Sequence, residues 1–596
     1  MKRKIIISIT FLILLIQMLL PHISSATGDY KKIQSGILDY SEEYQKWLKL
    51  PEEERSKIIP PRFYKIPQIE KSVKKNILFN DQYLDKYSLK DIIPENVVVR
   101  DQMQTNTCWA FSTIAALEST LGLQDYHNGV NSINYDFSER HMEYATTRLF
   151  LNNEINEMGF NRQVDSGGNP LISMAYLTNG MGAIDEEDME FENNAKLITL
   201  SEIQNKKVTS KVIDTVDFPS AYNDTFTDKE QISTQLKEHI TNYGGVMAAI
   251  HGAQPTSEYY NAETGAIYCD DQDKCLPNHQ VLIIGWDDSY KINNFNINHQ
   301  PQKPGAWIIK NSWGTNYGKD GIMYISYEDV NIYYWLAGIQ KASNKVDYDN
   351  IYQYNEFGYN MIGWLYDENK VYIANEFEKK TNGKEYLTEV SIYAPEEYTC
   401  KVYVNVNGTS KSKNDLVQVQ LKDGEEESVG VGYHTLEFAE PLEIWGDKFT
   451  VIIEACGMQN NIIYYGLETN DADDPLMEMV EIAEGKCYLT NSSGFEANAW
   501  SELANENIFG AKFDSTIKAF TVNNKENNNP TYLKGDVNGD GKVSLLDYGL
   551  VLANVKRSKL LEGEQLKRAD VNGDSKVTLI DYGLILAHVK RTKLLF

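Results

Sequence analysis

Gln102-Met-Gln-Thr-Asn-Thr-Cys108-Trp109-Ala110-Phe111-Ser112 puts a thiol at the head of an apolar run that continues through Leu117. The run predicts a helix that begins at Cys108. A cysteine there feels the positive end of the helix dipole, which favours the nucleophilic thiolate. Gln102, six residues upstream, offers an amide N–H to a developing oxyanion, and the Cys108 backbone N–H offers a second. On its own the stretch also fits a buried structural cysteine at a helix start.

A thiol nucleophile needs a base, and the base needs a group that orients it. Of the nine histidines, His279 precedes a run that reads as a buried strand, Gln280 to Trp286. A second short strand, Trp307-Ile-Ile-Lys310, leads into Asn311-Ser312-Trp313-Gly314. The Asn311 side-chain carbonyl can accept one imidazole N–H, and Trp313 can shield that bond from water.

The order Gln102, Cys108, His279, Asn311 resembles the papain family of cysteine peptidases. The resemblance implies an α+β, two-lobed catalytic domain over residues 88–338. In it Gln102 forms the oxyanion hole, Cys108 is the nucleophile, His279 the general base and acid, and Asn311 the orienter, with no cofactor for catalysis. Phe137-Ser-Glu-Arg looks like the family's second helix start. Gly167 and Gly168 look like its substrate-binding glycine pair, with Trp313 beside the base. The chain departs from the family where a cysteine often precedes the nucleophile. Thr105 stands there, and the Asp165-Ser166 region holds no partner cysteine. The spacings of 171 residues from Cys108 to His279 and 32 from His279 to Asn311 are long. They imply inserted loops, Lys291 to Lys303 among them.

At 596 residues the chain predicts three or more domains. A net charge of −28 argues against nucleic-acid binding. Residues 1–26 read as a secretory signal: Lys2-Arg3-Lys4, an apolar run from Ile5 to Leu20, then Ser24-Ser25-Ala26. A retained anchor is the alternative, and no later segment reads as a membrane span. Residues 27–87 are charged, with no strong core pattern, and occupy the place of a prosegment. They read either as an inhibitory propeptide-like segment or as a flexible extension.

Removing Cys108 leaves five cysteines. Cys269 and Cys275 are close enough to staple the loop before His279, while at most one pair can form among Cys400, Cys456 and Cys487. Residues 345–520 alternate or run apolar between turn residues, as in Lys401-Val-Tyr-Val-Asn-Val and Phe449-Thr-Val-Ile-Ile-Glu. This predicts a β-sandwich. Its position resembles that of the lectin-like domains of some secreted peptidases, which adds carbohydrate as a candidate ligand beside a plain spacer role. An Asn-rich linker spans 521–531.

Residues 532–596 contain a duplication. The loop Asp536, Asn538, Asp540, Lys542, Ser544, Asp547 recurs 34 residues later as Asp570, Asn572, Asp574, Lys576, Thr578, Asp581. Oxygen donors at loop positions 1, 3, 5, 9 and 12, with the carbonyl of the position-7 lysine, suit two Ca²⁺ ions. Each loop leads into an apolar helix, over 548–555 and 582–589. The pattern resembles a dockerin, a small all-α calcium-binding module that docks on a cohesin domain of a scaffold. Leu545, Leu546, Lys556 and Arg557, and their counterparts Leu579, Ile580, Lys590 and Arg591, are the expected cohesin contacts. Residues 531–596 carry a net +3 and the rest of the chain −31.

The sequence reading is therefore a secreted, scaffold-attached cysteine endopeptidase acting on protein or peptide. The alternative is a catalytically silent or narrowly regulatory module presenting a carbohydrate-binding sandwich.

Overall fold

The computed structural model describes residues 35–37, 40–55, 57–62 and 83–523, apart from 131–132, 193–197, 221–227, 356, 458–460, 471–476, 492–493, 496–498 and 507–509. In the C-terminal part it describes 534–539, 543–561, 563–571 and 576–590. The expected signal, most of the Asn-rich linker, and Asp540, Lys542, Asn572, Asp574 and Arg591 lie outside the described residues.

The helix Cys108–His127 is the axis of the catalytic part. Every residue from Trp109 to Leu123 is buried, the mark of a helix wrapped by packing on all sides. Around it pack the helices Glu139–Ala145 and Pro170–Thr178 on one side and a sheet on the other. Side chains start both short helices. Ser138 accepts from His141 N–H, and Asn169 accepts from Ile172 N–H. These caps satisfy N–H groups that have no acceptor within the helix.

The sheet carries the other half of the site. Strand His279–Asp287 is buried throughout and pairs with Val246–Ile250 on one side and Ala306–Lys310 on the other, both antiparallel. A continuous apolar run is what a strand covered on both faces requires. The stretch Lys291–Lys303 forms a loop with one short 3₁₀ turn at Ile292–Asn294.

The same thirteen-stranded sheet continues into the second region. Gly432–Ile444 meets Lys211–Asp217 edge to edge, and Glu385–Ala394, Lys518–Asn523 and Asn350–Tyr352 follow. Lys211 Nζ, 2.6 Å from both Glu389 and Asp347, ties the seam. A seven-stranded sheet built on Lys370–Glu378, Tyr398–Asn405 and Lys448–Gly457 faces these strands across a separate apolar core. This is the expected β-sandwich. Cys400 and Cys487 are buried in that core, and Cys400, Cys456 and Cys487 are all free thiols.

The N-terminal segment corrects the reading of a flexible extension. Tyr44 and Trp47, on the helix Glu42–Leu48, stack at 5.4 Å and, with Ile59, join the catalytic core. The Ile59 N–H donates to Pro277 O at 2.8 Å, two residues before His279. Arg62 donates to Leu336 O at 2.7 Å. Ser35–Ile37 adds a strand to Met361–Tyr366 of the sandwich. Among the described residues no helix is long and apolar enough to cross a membrane.

The C-terminal module contains the helices Leu545–Val555, Glu564–Ala569 and Leu579–Val589. Val537, Val551, Leu561, Ala569 and Ile585 form its core. Tyr548 and Tyr582, equivalent in the two repeats, stack at 4.5 Å and hydrogen-bond through their hydroxyls. The duplication is therefore packed as a pair.

Candidate functional site

Cys108 is the first residue of its helix, so its N–H has no intrahelical acceptor. The thiol sits against strand His279–Asp287, where the Gln280 backbone contacts it. Ser112, one turn along the helix, accepts from Gln280 Nε2 at 2.6 Å and locks helix to strand.

His279 Nε2 lies 2.7 Å from Asn311 Oδ1. An amide oxygen only accepts, so Nε2 carries the proton and Nδ1 is left bare as the basic atom. The orientation of Asn311 is fixed by its other contacts. Oδ1 also accepts from Ser312 N–H at 2.8 Å, and Nδ2 donates to Met323 Sδ at 3.2 Å. Trp313 lies over the imidazole, with ring centroids 4.5 Å apart, and screens the bond.

Gln102 is held from both ends. Its N–H donates to Ser312 O at 2.7 Å, and its Oε1 accepts from Ser312 Oγ at 2.6 Å. Nε2 donates one hydrogen to Thr105 O at 2.6 Å and has a second to offer. The Gln102 segment and the Asn311–Gly314 turn thus form one rigid unit.

Burial decides the resting protonation. It pushes Cys108 up to about 11, against the pull of backbone N–H groups from Gln280, Trp109 and Cys108 itself. It pushes His279 down to about 4, against the Asn311 bond. The helix-end field expected to favour a thiolate is outweighed by desolvation. Burial thus favours the neutral form of each group, and the helix end and the Asn311 bond oppose it.

The glycine pair has a steric reason. A Cβ on Gly168 would stand 2.4 Å from the Trp109 ring, and Gly167 has φ of +81°. Only glycine lets this loop lie on Trp109. The absence of the family's disulfide has a counterpart that sequence reasoning missed. Asn106 N–H donates to Asp165 Oδ1 at 2.5 Å, and Asn106 Nδ2 donates to Asp165 O at 3.0 Å. These bonds join the two loops the missing bridge would join. Neither residue type signals this in sequence, because the pair is 59 apart and one acceptor is backbone.

Cys269 and Cys275 are both free, so the expected staple is not a covalent one here.

In the C-terminal module Asp547 and Asp581 are fully buried, and Asp536 is nearly so. Asp547 accepts from the N–H groups of Asn538 and Ser544, and Asp581 from those of Val571 and Thr578. The Ser544 and Thr578 hydroxyls cap the helices that follow. Two buried carboxylates in equivalent places, with Asp536 beside one of them, are a hard oxygen donor set that fits Ca²⁺. Asp570 and Lys576 flank the second loop. Leu545, Leu546, Leu579 and Ile580 are each at least 60% exposed, and Lys556, Arg557 and Lys590 are exposed as well.

Comparison with known proteins divides the chain in the same order. Residues 91–341 match the papain family cysteine protease model, 351–521 a lectin like domain, and 534–589 a dockerin type I domain. Cysteine proteinase 3 of Entamoeba histolytica is 23% identical over 286 residues, 47% of this chain and 73% of that protein. Cathepsin L of Sarcophaga peregrina is 24% identical over 252 residues, 41% of this chain and 59% of that protein. The protease and lectin-like domains of Cwp84, a surface layer associated protein of Clostridium difficile, share the fold. Their TM-score is 0.65 at 22% identity, covering 83% of this chain and 100% of theirs.

Proposed function

We propose that this chain, with its papain-family cysteine protease domain followed by a lectin-like and a dockerin domain, is a secreted endopeptidase attached to a scaffold. Cys108 Sγ attacks the peptide carbonyl while its proton passes to His279 Nδ1. The oxyanion is held by the Cys108 N–H and the second Gln102 Nε2 hydrogen. His279 then protonates the leaving amine, and a water deprotonated by His279 releases the acyl group from Cys108. The observation that carries this reading is the screened His279–Asn311 bond at 2.7 Å, which fixes the tautomer that such chemistry needs. Gly167 and Gly168 present backbone to an extended substrate.

The N-terminal segment 27–87 acts as a propeptide. Its contact at Pro277 and its strand on the sandwich support this, as does the propeptide cleavage of the protease from the solved Cwp84 structures. Asp536, Asn538, Asp547, Asp570 and Asp581, with the remaining loop donors, would hold two Ca²⁺ ions that order the dockerin. Leu545, Leu546, Lys556 and Arg557, or Leu579, Ile580, Lys590 and Arg591 after a half-turn, then face an acidic cohesin. The experiment is peptide-library cleavage by the trimmed protein beside Cys108→Ala. Cleavage at internal bonds that vanishes in the variant is the expected result, and equal cleavage by both overturns the reading.

A further inference from the structure

Upstream of the base, the chain brings together three groups that peptide hydrolysis does not use. One ligand atom from each of His251, Cys269 and Cys275 lies within 4.8 Å of the other two. Both cysteines are fully buried and neither is oxidised. Two thiols and an imidazole are a borderline-soft donor set, the kind that selects zinc-class cations over calcium.

The surroundings are built as ligand supports. Cys269 N–H donates to Asp329 Oδ2 at 2.9 Å, and Cys275 O accepts from Asn331 Nδ2 at 2.9 Å. One acidic turn therefore fixes the backbone of both cysteines. His251 Nδ1 donates to Leu276 O at 3.1 Å, since a carbonyl only accepts. In the neutral ring that bond leaves Nε2 as the atom free to ligate, and a backbone carbonyl holding the N–H is how ligating histidines are usually oriented. An independent observation points the same way. Tyr259 is 6% exposed, and its hydroxyl faces the Cys275 thiol with no oxygen or nitrogen partner. A thiol is a weak partner for a buried phenol. A water in the fourth coordination position would satisfy it.

We propose that His251, Cys269 and Cys275 bind a zinc-class d¹⁰ cation, with a water beside Tyr259 as fourth ligand. Tetrahedral coordination at ordinary zinc bond lengths puts ligand atoms about 3.5–3.8 Å apart, inside the 4.8 Å within which the three groups already lie. Binding converts two thiols to thiolates and releases two protons, with no change of oxidation state. The site bears on the protease because its loops carry the base. Asn278 N–H donates to Ile250 O at 3.0 Å, and a Cβ on Gly252 would touch the His279 Cβ at 2.9 Å. A bound ion clamps the 250–252 and 269–279 loops to each other, and so steadies His279.

The test uses the full chain as Cys108→Ala, so that the nucleophile does not compete for metal, reduced, stripped and held in excess calcium. Zinc is titrated against a chromophoric chelator, and Co²⁺ is added in parallel. The expected result is one zinc equivalent, a thiolate-to-cobalt charge-transfer band and a higher Tm on loading. The additional His251→Ala should weaken zinc at least about tenfold, and Cys269→Ser with Cys275→Ser should abolish the band. His251 is only half-buried, so its variant serves if the double cysteine variant does not fold. Zinc uptake unchanged in folded His251→Ala, absence of the cobalt band, or peptide mapping that finds Cys269 and Cys275 oxidised to each other in secreted protein would each overturn the proposal.

Discussion

Asn311→Ala removes the 2.7 Å bond that fixes the His279 ring. His279 is 5% exposed, so water does not freely replace the lost acceptor. A buried donor left unpaired costs about 1–3 kcal/mol, and a hydrogen bond to the imidazolium formed during attack is worth about 1.5–3 kcal/mol. At about 1.4 kcal/mol per decade, kcat/KM should fall about 10- to 100-fold. The loss should sit mainly in kcat, because the bond strengthens as the ring becomes charged. The pH profile gives a second readout. Activity requires neutral His279, and burial depresses that group to about 4 while the Asn311 bond raises it. The wild-type acid limb should therefore fall near pH 4. In Asn311→Ala it moves lower, because a group favouring the charged ring is gone. In Asn311→Asp it moves higher, because a carboxylate favours imidazolium. The assay is hydrolysis of a fluorogenic peptide from pH 3 to 9, with circular dichroism to confirm folding. A folded Asn311→Ala with kcat/KM within about twofold of wild type and an unmoved limb would refute the reasoning.

Gly168→Ala should lower activity more than stability, since its methyl meets Trp109 beside Cys108; a Tm collapse with normal kcat/KM would place the glycine in the core instead. Asn106→Ala should cost about 0.5–1.5 kcal/mol, because it removes the side-chain bond to Asp165 O and keeps the backbone N–H bond to Asp165 Oδ1; calorimetry checks this. The full-length protein should be less active than protein trimmed near Tyr87, and Trp47→Ala should partly relieve the difference by loosening the segment's anchor; equal activity before and after trimming sinks this. Replacing Leu545, Leu546, Lys556 and Arg557 together, or their repeat counterparts, should each leave cohesin binding, while the combined variant loses it and EDTA abolishes it in every version. Surface plasmon resonance against a cohesin decides.

The catalytic order is legible because each group announces itself by local pattern. Cys108 opens an apolar run, His279 precedes one, and Asn311 follows one. Strand and helix periods then carry the groups together without any need for loop geometry. What is not legible follows from the same rule. Tyr44 and Trp47 stand at a helical spacing, but a helix of 7 residues set among charges is too short for that spacing to announce itself, so a segment that packs into the core reads as solvent-exposed. Asn106 and Asp165 meet through two bonds, each between a side chain and a backbone group, which leave no compositional trace. The protonation of Cys108 depends on burial depth, which pattern does not supply. The helix-end field is visible in sequence, and the larger opposing desolvation is not.

The dockerin shows the converse, a case where repetition supplies what pattern alone lacks. One Asp-rich loop is indistinguishable from a polar surface turn. Two copies 34 residues apart constrain each other, and the structure answers with paired features. Asp547 and Asp581 are both fully buried, Tyr548 and Tyr582 stack, and Val551 and Ile585 share a core. A core of so few apolar residues cannot by itself offset two buried carboxylates. The N–H groups of Asn538, Ser544, Val571 and Thr578 satisfy part of their oxygens, and a cation held on the loop oxygens would add to that. The exposed pairs Leu545-Leu546 and Leu579-Ile580 each begin the helix that the buried carboxylate caps. Chelation should therefore reach Leu545, Leu546, Leu579 and Ile580 through the first helical turn, and EDTA should lower helix content together with cohesin binding, as circular dichroism and surface plasmon resonance would read.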